Sequence, residues 1–433
     1  MARWEEIVGA EFVHAGTPAE AVDGIVPAAV LRPGDVEVLR RIVREGAPLV
    51  ASGLGAHLDI GSPPRALSVL VRLDRLDRVI AHEAGDMTLT VEAGCPLPVI
   101  ERLLARAGQW LPLDPPRPDR TTAGGLIAAN LVGPLRASQG TVRDLLLGLR
   151  VVEADGALVT SGGKVVKNVA GYELPKLHVG ALGTLGVIVE ATFKLRPRPA
   201  GEAAVVVPCR SASEANEVAL EVRDGLDPLW LEIGGAGVEA TGDPPAVLFV
   251  GLAGIPDEVA EARDRASAVA DRHGLDTRVV GDGAALRRRL GAFEVGPYAA
   301  VLKAAALPSQ VGTVIEEAER VARDLGARIR CLAHAANGMV RIGVVEPAHV
   351  APLVDRLRPE REAHGGSLVV ARARPEVKCG LPIWGSFGAG AGLMARITAA
   401  ADPRGILAPG RLLERDDASG APNDPAHLAA SAT

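Results

Sequence analysis

Residues 164–199 decide the fold and read KVVKNVAGYELPKLHVGALGTLGVIVEATFKLRPRP. Gly180, Gly183 and Gly186 recur at every third position and run directly into the β-branched residues 187–189. Glycine has no Cβ, so glycines spaced this closely let the backbone approach a flat or charged ligand. The apolar run that follows is typical of a buried strand. The segment therefore predicts a ligand-contacting wall that leads into a strand.

A second glycine-rich segment, ASGLGAHL at residues 51–58, follows a short apolar run that predicts a strand at 48–51. A turn of this kind exposes consecutive backbone N–H groups, which can form a nest for a pyrophosphate. An ordinary tight turn has the same composition, so the segment alone leaves both interpretations open. The residues that we predict to contact a ligand here are Ser52, Gly53, Leu54, Gly55, Ala56 and His57.

Two further motifs lie between these segments, TTAGGLIAAN at residues 121–130 and GTVRD at residues 140–144. In their order and spacing, the four motifs resemble the FAD-binding domain of the vanillyl-alcohol oxidase superfamily, also called the PCMH type. Within that superfamily they are most similar to the E subunits of glycolate oxidase. The resemblance implies FAD as the cofactor. The residues that it adds to the predicted cofactor site are Thr122, Gly124, Gly125, Asn130, Gly140, Thr141, Lys167, Gly186, Val187 and Ile188.

His57 raises the question of a covalent flavin bond. Families with a histidyl flavin place the histidine directly after the glycines, where this sequence has Ala56. The family's usual Gly-Gly-Gly-Thr is GLGA here, which removes one hydroxyl contact and keeps the backbone donors. We therefore expect FAD to bind non-covalently. Lys167 is either a solvated surface lysine or a cation beside the flavin, where it would stabilise the reduced ring.

The composition argues against several classes of partner. The 433 residues carry a net charge of −6 without a basic stripe, which argues against nucleic acid. No apolar run reaches the roughly 18–20 residues of a membrane span, and the N-terminus lacks the pattern of a signal peptide. The four cysteines form no CxxC pair, so we expect buried, reduced thiols and no bound metal. We expect a cytoplasmic protein, at most peripheral to the inner face of the membrane through partners.

Alternating strand and helix patterns predict an α+β fold. We place a two-subdomain PCMH-type FAD-binding domain at residues 22–200, because RPRPA at 196–200 breaks regular structure. Residues 201–375 are predicted to form an α+β cap from two units of order β-α-β-β-α-β, the ferredoxin-like arrangement. The stretches PIWG at 382–385 and DPRGILAPGR at 402–411 again resemble the glycolate oxidase E subunits, and residues 376–413 are expected to return to the FAD domain. The composition of residues 414–433 is typical of disorder.

The resemblance implies a flavoprotein oxidoreductase subunit that oxidises a 2-hydroxy acid such as glycolate or D-lactate, or relays electrons from a partner that does so. The implied partners are an iron–sulfur subunit and a second flavoprotein. Two alternatives stay open, namely a non-catalytic FAD-stabilised scaffold and a standalone oxidase of a sugar or aldonolactone. The cap sequence has no histidine cluster for proton abstraction. His334, at the end of a predicted strand, is the candidate base, and a packed structural histidine is the alternative interpretation.

Overall fold

The computed structural model describes residues 1–163, 173–238 and 244–413. The predicted cofactor residue Lys167 and the predicted tail at 414–433 lie outside the described residues. The described chain combines helices with several β-sheets, which confirms the predicted α+β class.

The first part of the chain forms a small sheet that leads into the glycine-rich residues 53–58, here called the glycine loop. Its helices and strands are α1 (Ala2–Val8), β1 (Val13–His14), β2 (Ala29–Leu31), α2 (Val36–Arg44), β3 (Leu49–Ser52) and β4 (Val69–Arg72). The strands lie in the order β1-β2-β4-β3, and β2 and β3 run parallel to β4. Helix α2 begins after Asp35, whose carboxylate accepts a hydrogen bond from the Val38 N–H. Strand β3 ends at Ser52, so the glycine loop starts at the carboxyl end of a buried strand.

A second sheet completes the predicted FAD-binding domain, which together with the N-terminal residues is here called the FAD-binding half (residues 1–200). The elements of this region are β5 (Val79–Glu83), β6 (Thr88–Glu92), α3 (Leu97–Ala105), β7 (Gln109–Trp110), α4 (Ala123–Ala128), α5 (Arg136–Gln139), α6 (Val142–Leu145), β8 (Leu146–Val152), β9 (Leu158–Gly162), β10 (Val187–Lys194) and β11 (Arg196–Pro197). The antiparallel order β5-β6-β10-β8-β9 places β10 at the centre. Residues 187–189 are therefore buried, as the sequence predicts. Both sheets share one hydrophobic core.

The cap is built on one eight-stranded sheet. Its elements are β12 (Gly201–Cys209), α7 (Ala212–Leu226), β13 (Trp230–Gly235), β14 (Ala246–Gly254), α8 (Pro256–Arg272), β15 (Arg278–Val280), α9 (Gly283–Gly291), β16 (Ala300–Ala305), α10 (Val311–Leu325), β17 (Ile329–His334), β18 (Met339–Val344), α11 (Val350–Ala363) and β19 (Ser367–Ala373). The strand order is β15-β12-β14-β13-β17-β18-β16-β19, with β13 antiparallel to β17. The two predicted β-α-β-β-α-β units are confirmed, and their sheets join at β13 and β17.

The two faces of the cap sheet have different neighbours. One face packs against α7, α8, α10 and α11 in the main core of the cap. On the other face Leu332 belongs to a cluster that also contains Leu135 of the FAD-binding half. This second face therefore meets the FAD-binding half.

Two elements differ from the sequence prediction. Helix α9 was not predicted, because its sequence GAALRRRLG offers little apolar periodicity beyond Leu286 and Leu290, which are both buried against the cap sheet. The segment expected to break regular structure instead pairs with β7 through Arg196 and Pro197. Proline is tolerated there because the pairing is only two residues long and lies at an edge.

The C-terminal segment returns to the strand that carries the glycine loop. It contains α12 (Pro375–Lys378) and α13 (Ala391–Ala401). Beyond α13, the Leu49 N–H donates to the Ile406 carbonyl at 2.8 Å, and the Ala408 N–H donates to the Leu49 carbonyl at 2.8 Å. Residues 406–408 therefore extend the first sheet beside β3.

The cysteines follow the sequence expectation with one exception. Cys95, Cys209 and Cys331 are buried and unpaired, whereas Cys379 is exposed because it directly follows the short surface helix α12. Across residues 1–163, 173–238 and 244–413, no set of His, Cys, Asp and Glu side chains is grouped to hold a metal ion. In the same residues no helix is both long and apolar enough to cross a membrane.

Candidate functional site

An open cavity lies between the two sheets of the FAD-binding half, with about 790 Å³ of empty space. Its walls are the glycine loop after β3, the start of α4 and the turn that leads into β10. The predicted cofactor residues that line it are Ser52, Gly53, Leu54, Gly55, Ala56, His57, Thr122, Gly124, Gly125, Gly186, Val187 and Ile188. Its glycine-rich wall leaves room for the close approach of a cofactor.

The backbone N–H groups of residues 53–57 donate no hydrogen bond to any described residue. Gly55 lies in this run with a φ of +74°, which a glycine adopts without strain. Gly55 is exposed and its neighbours line the open cavity, so a ligand can reach these donors. A run of unpaired donors on a cavity wall therefore fits an anionic group, such as the diphosphate of FAD.

The carbonyl groups of this loop and of the residues that follow it, up to Gly61, are held by four cationic side chains. Arg120 donates to Leu54 O at 3.4 Å, Arg117 to Ala56 O at 2.5 Å, Arg411 to Leu58 O at 2.8 Å, and Lys378 to Asp59 O and Gly61 O at 2.8 and 2.9 Å. In a trans peptide the C=O and the N–H point in opposite directions. Carbonyls fixed on one side of the loop consequently leave the N–H groups free on the other side.

Asp23 anchors two of these four cations. Its carboxylate lies 2.6 Å from Lys378 Nζ and 2.6 Å from Arg411 Nη1, and the side chains of all three residues are buried. Burial lowers the pKa of Lys378 and of Arg411, and the Asp23 carboxylate opposes that effect. Because these cations come from the C-terminal segment, that segment helps to set the conformation of the glycine loop.

The two glycines of the second motif have different environments. A Cβ on Gly124 would lie 2.8 Å from Ala93 Cβ, so this glycine is needed for packing. A Cβ on Gly125 would meet only Thr122 Oγ1, at 3.3 Å, and would otherwise project toward the cavity. Gly183 likewise has nothing within 4 Å of the equivalent position in the described protein. Gly125 and Gly183 thus keep the cavity open, as a cofactor wall requires.

Among the described residues, three of the predicted cofactor residues are not on this cavity. Lys167 lies outside the described residues. Asn130 is exposed after α4, at a φ of +47°. Gly140 forms the turn after α5 with a φ of +87°, and the Thr141 hydroxyl donates to Asp144 at 2.8 Å to cap α6. For Asn130, Gly140 and Thr141 the described role is therefore to end or begin helices.

His57 lies where the glycine loop meets the cap. Its Nε2 is 2.7 Å from Thr121 Oγ1, and its Nδ1 accepts a hydrogen bond from Arg372 Nη2 at 2.7 Å. Burial and the Arg372 charge lower the pKa of His57 to about 3, so the ring is neutral. Both ring nitrogens are engaged by protein groups, which favours the predicted non-covalent flavin.

His334 lies at the end of β17, on the cap face that meets the FAD-binding half. Its Nδ1 contacts Glu232 Oε1, and Arg341 donates to Glu232 Oε2 at 3.0 Å. Burial, assisted by the Arg341 charge, lowers the pKa of His334. Its Nε2 has no partner among the described residues. The imidazole is therefore oriented but only half satisfied, and it does not line the cavity described above.

Sequence reasoning missed the charged residues of the cap sheet. Glu232 and Arg341 are the single charged residues in the otherwise apolar strands β13, which reads WLEIGG, and β18, which reads MVRIGV. A charged residue is rarely buried unless it is paired, so this isolated position was an available signal. The cations that hold the loop carbonyls gave no comparable local signal, because their partners are backbone atoms.

Comparisons with known proteins agree with this geometry. Residues 27–162 match the family model described as the FAD binding domain. Glycolate oxidase subunit GlcE of Escherichia coli (strain K12) is 38% identical over 165 residues, which cover 38% of this chain and 47% of that protein. D-lactate dehydrogenase of Archaeoglobus fulgidus is 30% identical over 207 residues, which cover 47% of this chain and 46% of that protein. The chain thus matches less than half the length of either relative.

The overall fold has a solved counterpart. The structure of p-cresol methylhydroxylase with substrate bound superposes with a TM-score of 0.75 at 17% identity and covers 95% of both chains. The chain therefore carries a FAD-binding domain and shares the overall fold of p-cresol methylhydroxylase, in which an α+β cap covers that domain. By sequence it is related to glycolate oxidase subunits and to D-lactate dehydrogenases.

Proposed function

We propose that this chain is the FAD-binding subunit of a 2-hydroxy-acid oxidoreductase of the glycolate or D-lactate type. The observation that carries the proposal is the cavity wall of unpaired backbone N–H groups, in a chain related to glycolate oxidase subunits and D-lactate dehydrogenases. When bound, FAD supplies the two-electron acceptor that such an oxidation requires. A cytoplasmic position belongs to the same proposal.

The chain's own residues would bind and orient the cofactor. The N–H groups of residues 53–57 are suited to the diphosphate. Arg120 and Arg117 hold the Leu54 and Ala56 carbonyls within this run, and Lys378 and Arg411 hold the carbonyls that follow it. Gly125 and Gly183 leave room for the close approach of a flat ring system. This arrangement is preorganised, so little of the binding free energy would be lost in ordering the loop.

Proton removal from a substrate hydroxyl needs a base within about 3 Å. His334 is buried beside Glu232 and Arg341, and the cavity residues named above include no side chain from the cap. We therefore assign this chain an electron-relaying role, with substrate oxidation on a second flavoprotein and an iron–sulfur subunit as the further partner.

A second candidate function is oxidation of the 2-hydroxy acid by this chain itself, with His334 as the base. The Nε2 atom without a partner favours it, because Glu232 orients the ring as the carboxylate of a base dyad does. Arg341 and Lys303 lie opposite each other on the same sheet face and would attract a carboxylate. The proton would then pass from the substrate hydroxyl to His334 Nε2.

Anaerobic reduction of the bound flavin separates the two candidates. The purified chain loaded with FAD is mixed with glycolate or D-lactate, and the visible flavin absorbance is followed. We expect no reduction within minutes by the lone chain, full reduction by dithionite, and rapid reduction once the iron–sulfur and flavoprotein subunits are co-purified with it.

The variant His334→Ala tests the second candidate, with the exposed cap residue His364→Ala as the matched control. Rapid reduction of the lone wild-type chain that is lost only in His334→Ala would defeat the relay proposal and make His334 the base. A chain that neither binds partners nor is reduced by either acid would overturn both functions.

A further inference from the structure

The last strand of the cap, β19, contacts the glycine loop and the residue after it through the side chain of Arg372. Arg372, near the end of β19, is buried with its guanidinium between the two halves of the molecule. Its Nη1 donates to Asp59 Oδ1 at 2.5 Å, and its Nη2 donates to His57 Nδ1 at 2.7 Å. Its Nε donates to Glu294 of the cap at 3.3 Å. Glu294 of the cap therefore binds one side of the Arg372 guanidinium, and Asp59 and His57 of the FAD-binding half bind the other side.

His57 links Arg372 to the motif TTAGGLIAAN, because its second ring nitrogen bonds to Thr121. Arg372 can only donate, so His57 Nδ1 is the acceptor and the ring proton is on Nε2. The Nε2–H therefore donates to Thr121 Oγ1 at 2.7 Å, and the Thr121 hydroxyl donates to Arg117 O at 2.7 Å. Thr121 directly precedes Thr122, which lines the cavity and caps α4. One cap residue thus fixes the glycine loop relative to the start of α4.

Asp59 joins the same contact to the loop carbonyls. Its second oxygen lies 3.5 Å from Arg117 Nη1, the atom that also donates to Ala56 O. Arg372 and Arg117 lower the pKa of Asp59 against the effect of burial, so the carboxylate is charged. Removal of Arg372 would leave Asp59 with one cation in place of two and would free the His57 ring to turn.

We propose that Arg372 is a positioning residue for FAD, through which docking of the cap and binding of the cofactor stabilise each other. Arg372 does not line the cavity and acts through His57 and Asp59. Because such coupling is reciprocal, a docked cap tightens FAD binding and bound FAD holds the cap strand in place by the same factor. The proposal rests on FAD binding and is independent of the substrate.

The first test measures FAD affinity of the apo protein by quenching of flavin fluorescence. We expect Arg372→Gln to weaken FAD binding by about 5- to 150-fold, the usual range of such coupling. The matched control is Arg361→Gln, since Arg361 is also a buried cap arginine but donates to Glu317 within the cap, at 2.6 Å. The control should bind FAD as the wild type does. An unchanged FAD affinity in a folded Arg372→Gln protein would overturn the proposal.

The second test reads the reciprocal effect and does not depend on Arg372→Gln being stable. Hydrogen exchange of the β19 amides is measured with and without saturating FAD. FAD should slow this exchange in the wild type, and the slowing should be lost in Asp59→Asn, which changes only the loop side of the contact. Rescue of FAD affinity by Arg372→Lys would be partial, because lysine cannot reach His57 and Asp59 with a fork of donors. Equal slowing of β19 by FAD in the wild type and in Asp59→Asn would refute the coupling.

Discussion

The FAD-binding half and the cap present opposite chemistry to each other. In the FAD-binding half, the main-chain N–H groups of residues 53–57 are unpaired among the described residues. Side-chain cations such as Arg117 and Arg120 are bonded to loop carbonyls instead. In the cap, buried polar atoms without a partner belong to side chains, and His334 and Arg341 carry such atoms on the sheet face that meets the FAD-binding half. The first arrangement suits an anion through backbone dipoles, with the cations Arg120 and Arg411 also on the cavity wall. The second depends on each charge keeping its partner, so it is far more sensitive to substitution.

The largest effect is expected from a substitution in the cap cluster. Arg341→Met leaves the fully buried Glu232 with His334 as its remaining partner among the described residues. Removing one member of a buried pair typically costs about 3–5 kcal/mol. We expect a loss of that size in the free energy of unfolding, measured by urea titration of the apo protein.

The exposed pair of Arg356 with Asp324 provides the control. Arg356→Met should cost less than about 1 kcal/mol, because solvent screens a surface pair. Equal costs for the two variants would show that the cap cluster is no more dependent on pairing than the surface is.

A substitution in the FAD-binding half should change ligand binding and leave stability nearly unchanged. Gly125→Val places a branched side chain on the open wall of the cavity, where steric conflict with the cofactor should weaken FAD binding by more than about 100-fold, or about 3 kcal/mol. FAD titration measures the loss, and circular dichroism verifies the fold.

Gly225→Val is matched to this change, since Gly225 is also a helical glycine with open space beside it but lies in the cap helix α7. It should leave FAD affinity unaltered. If both variants bound FAD like the wild type, the second motif would be a turn and no part of the cofactor site.

The junction of the halves at α9 should respond to pH. Arg287 donates to Glu202 of the cap at 2.9 Å and to Asp114 of the FAD-binding half at 3.2 Å, so one cation serves two carboxylates. Burial raises the pKa of Asp114 to about 7, although Arg287 opposes the shift. The folded protein therefore keeps a proton that the unfolded chain releases near pH 4. This contribution to stability is present at low pH and is lost as the pH rises to about 7.

Asp114→Asn should remove that dependence. Relative to the variant, the wild type should lose about 2 kcal/mol of unfolding free energy between about pH 5 and pH 7, as urea titrations at each pH would show. Asp119→Asn, at an exposed position nearby, should follow the wild type. Parallel pH curves for the wild type and Asp114→Asn would mean that Asp114 is ionised throughout.

The smallest effect, no change at all in flavin release by acid, is expected from a substitution of His57. Both ring nitrogens are engaged by Thr121 and Arg372, so acid precipitation should release all flavin into the supernatant from the wild type and from His57→Ala alike. Flavin that stays with the wild-type pellet and leaves the His57→Ala pellet would instead identify a covalent bond at His57.

Most of the residues that line the cavity could be predicted from the sequence, because the requirements of such a wall are local. Gly53, Gly55 and Gly125 meet a need for space or backbone freedom that few other residues satisfy, and that need appears as spacing. The cap strands were also predictable, since each buries an apolar run between turn signals. Gly140 and Thr141 occupy helix ends in this chain, which the motif did not predict, and their contact with the cofactor stays a prediction.

The contacts between the halves could not be predicted in the same way. His57 and Arg372 are separated by 315 residues, and nothing in either local sequence specifies the other. Arg287 with Asp114 is a similar case, at a separation of 173 residues. An isolated charge in an apolar strand indicates that a partner exists, but the three-dimensional fold alone identifies it.

The pairing of residues 406–408 with β3 has a consequence for the biosynthesis of the holoprotein. Strand β3 has an unpaired edge until residues 406–408 bond to it. The carbonyls of Leu58 and Ile60 likewise lack the hydrogen bonds from Arg411 until that residue is present. Translation proceeds from the N-terminus, so these groups are among the last of the described chain to leave the ribosome. A prematurely terminated product would carry every glycine motif and still lack the clamp that shapes the loop. We therefore expect FAD binding to require a chain that extends at least to Arg411.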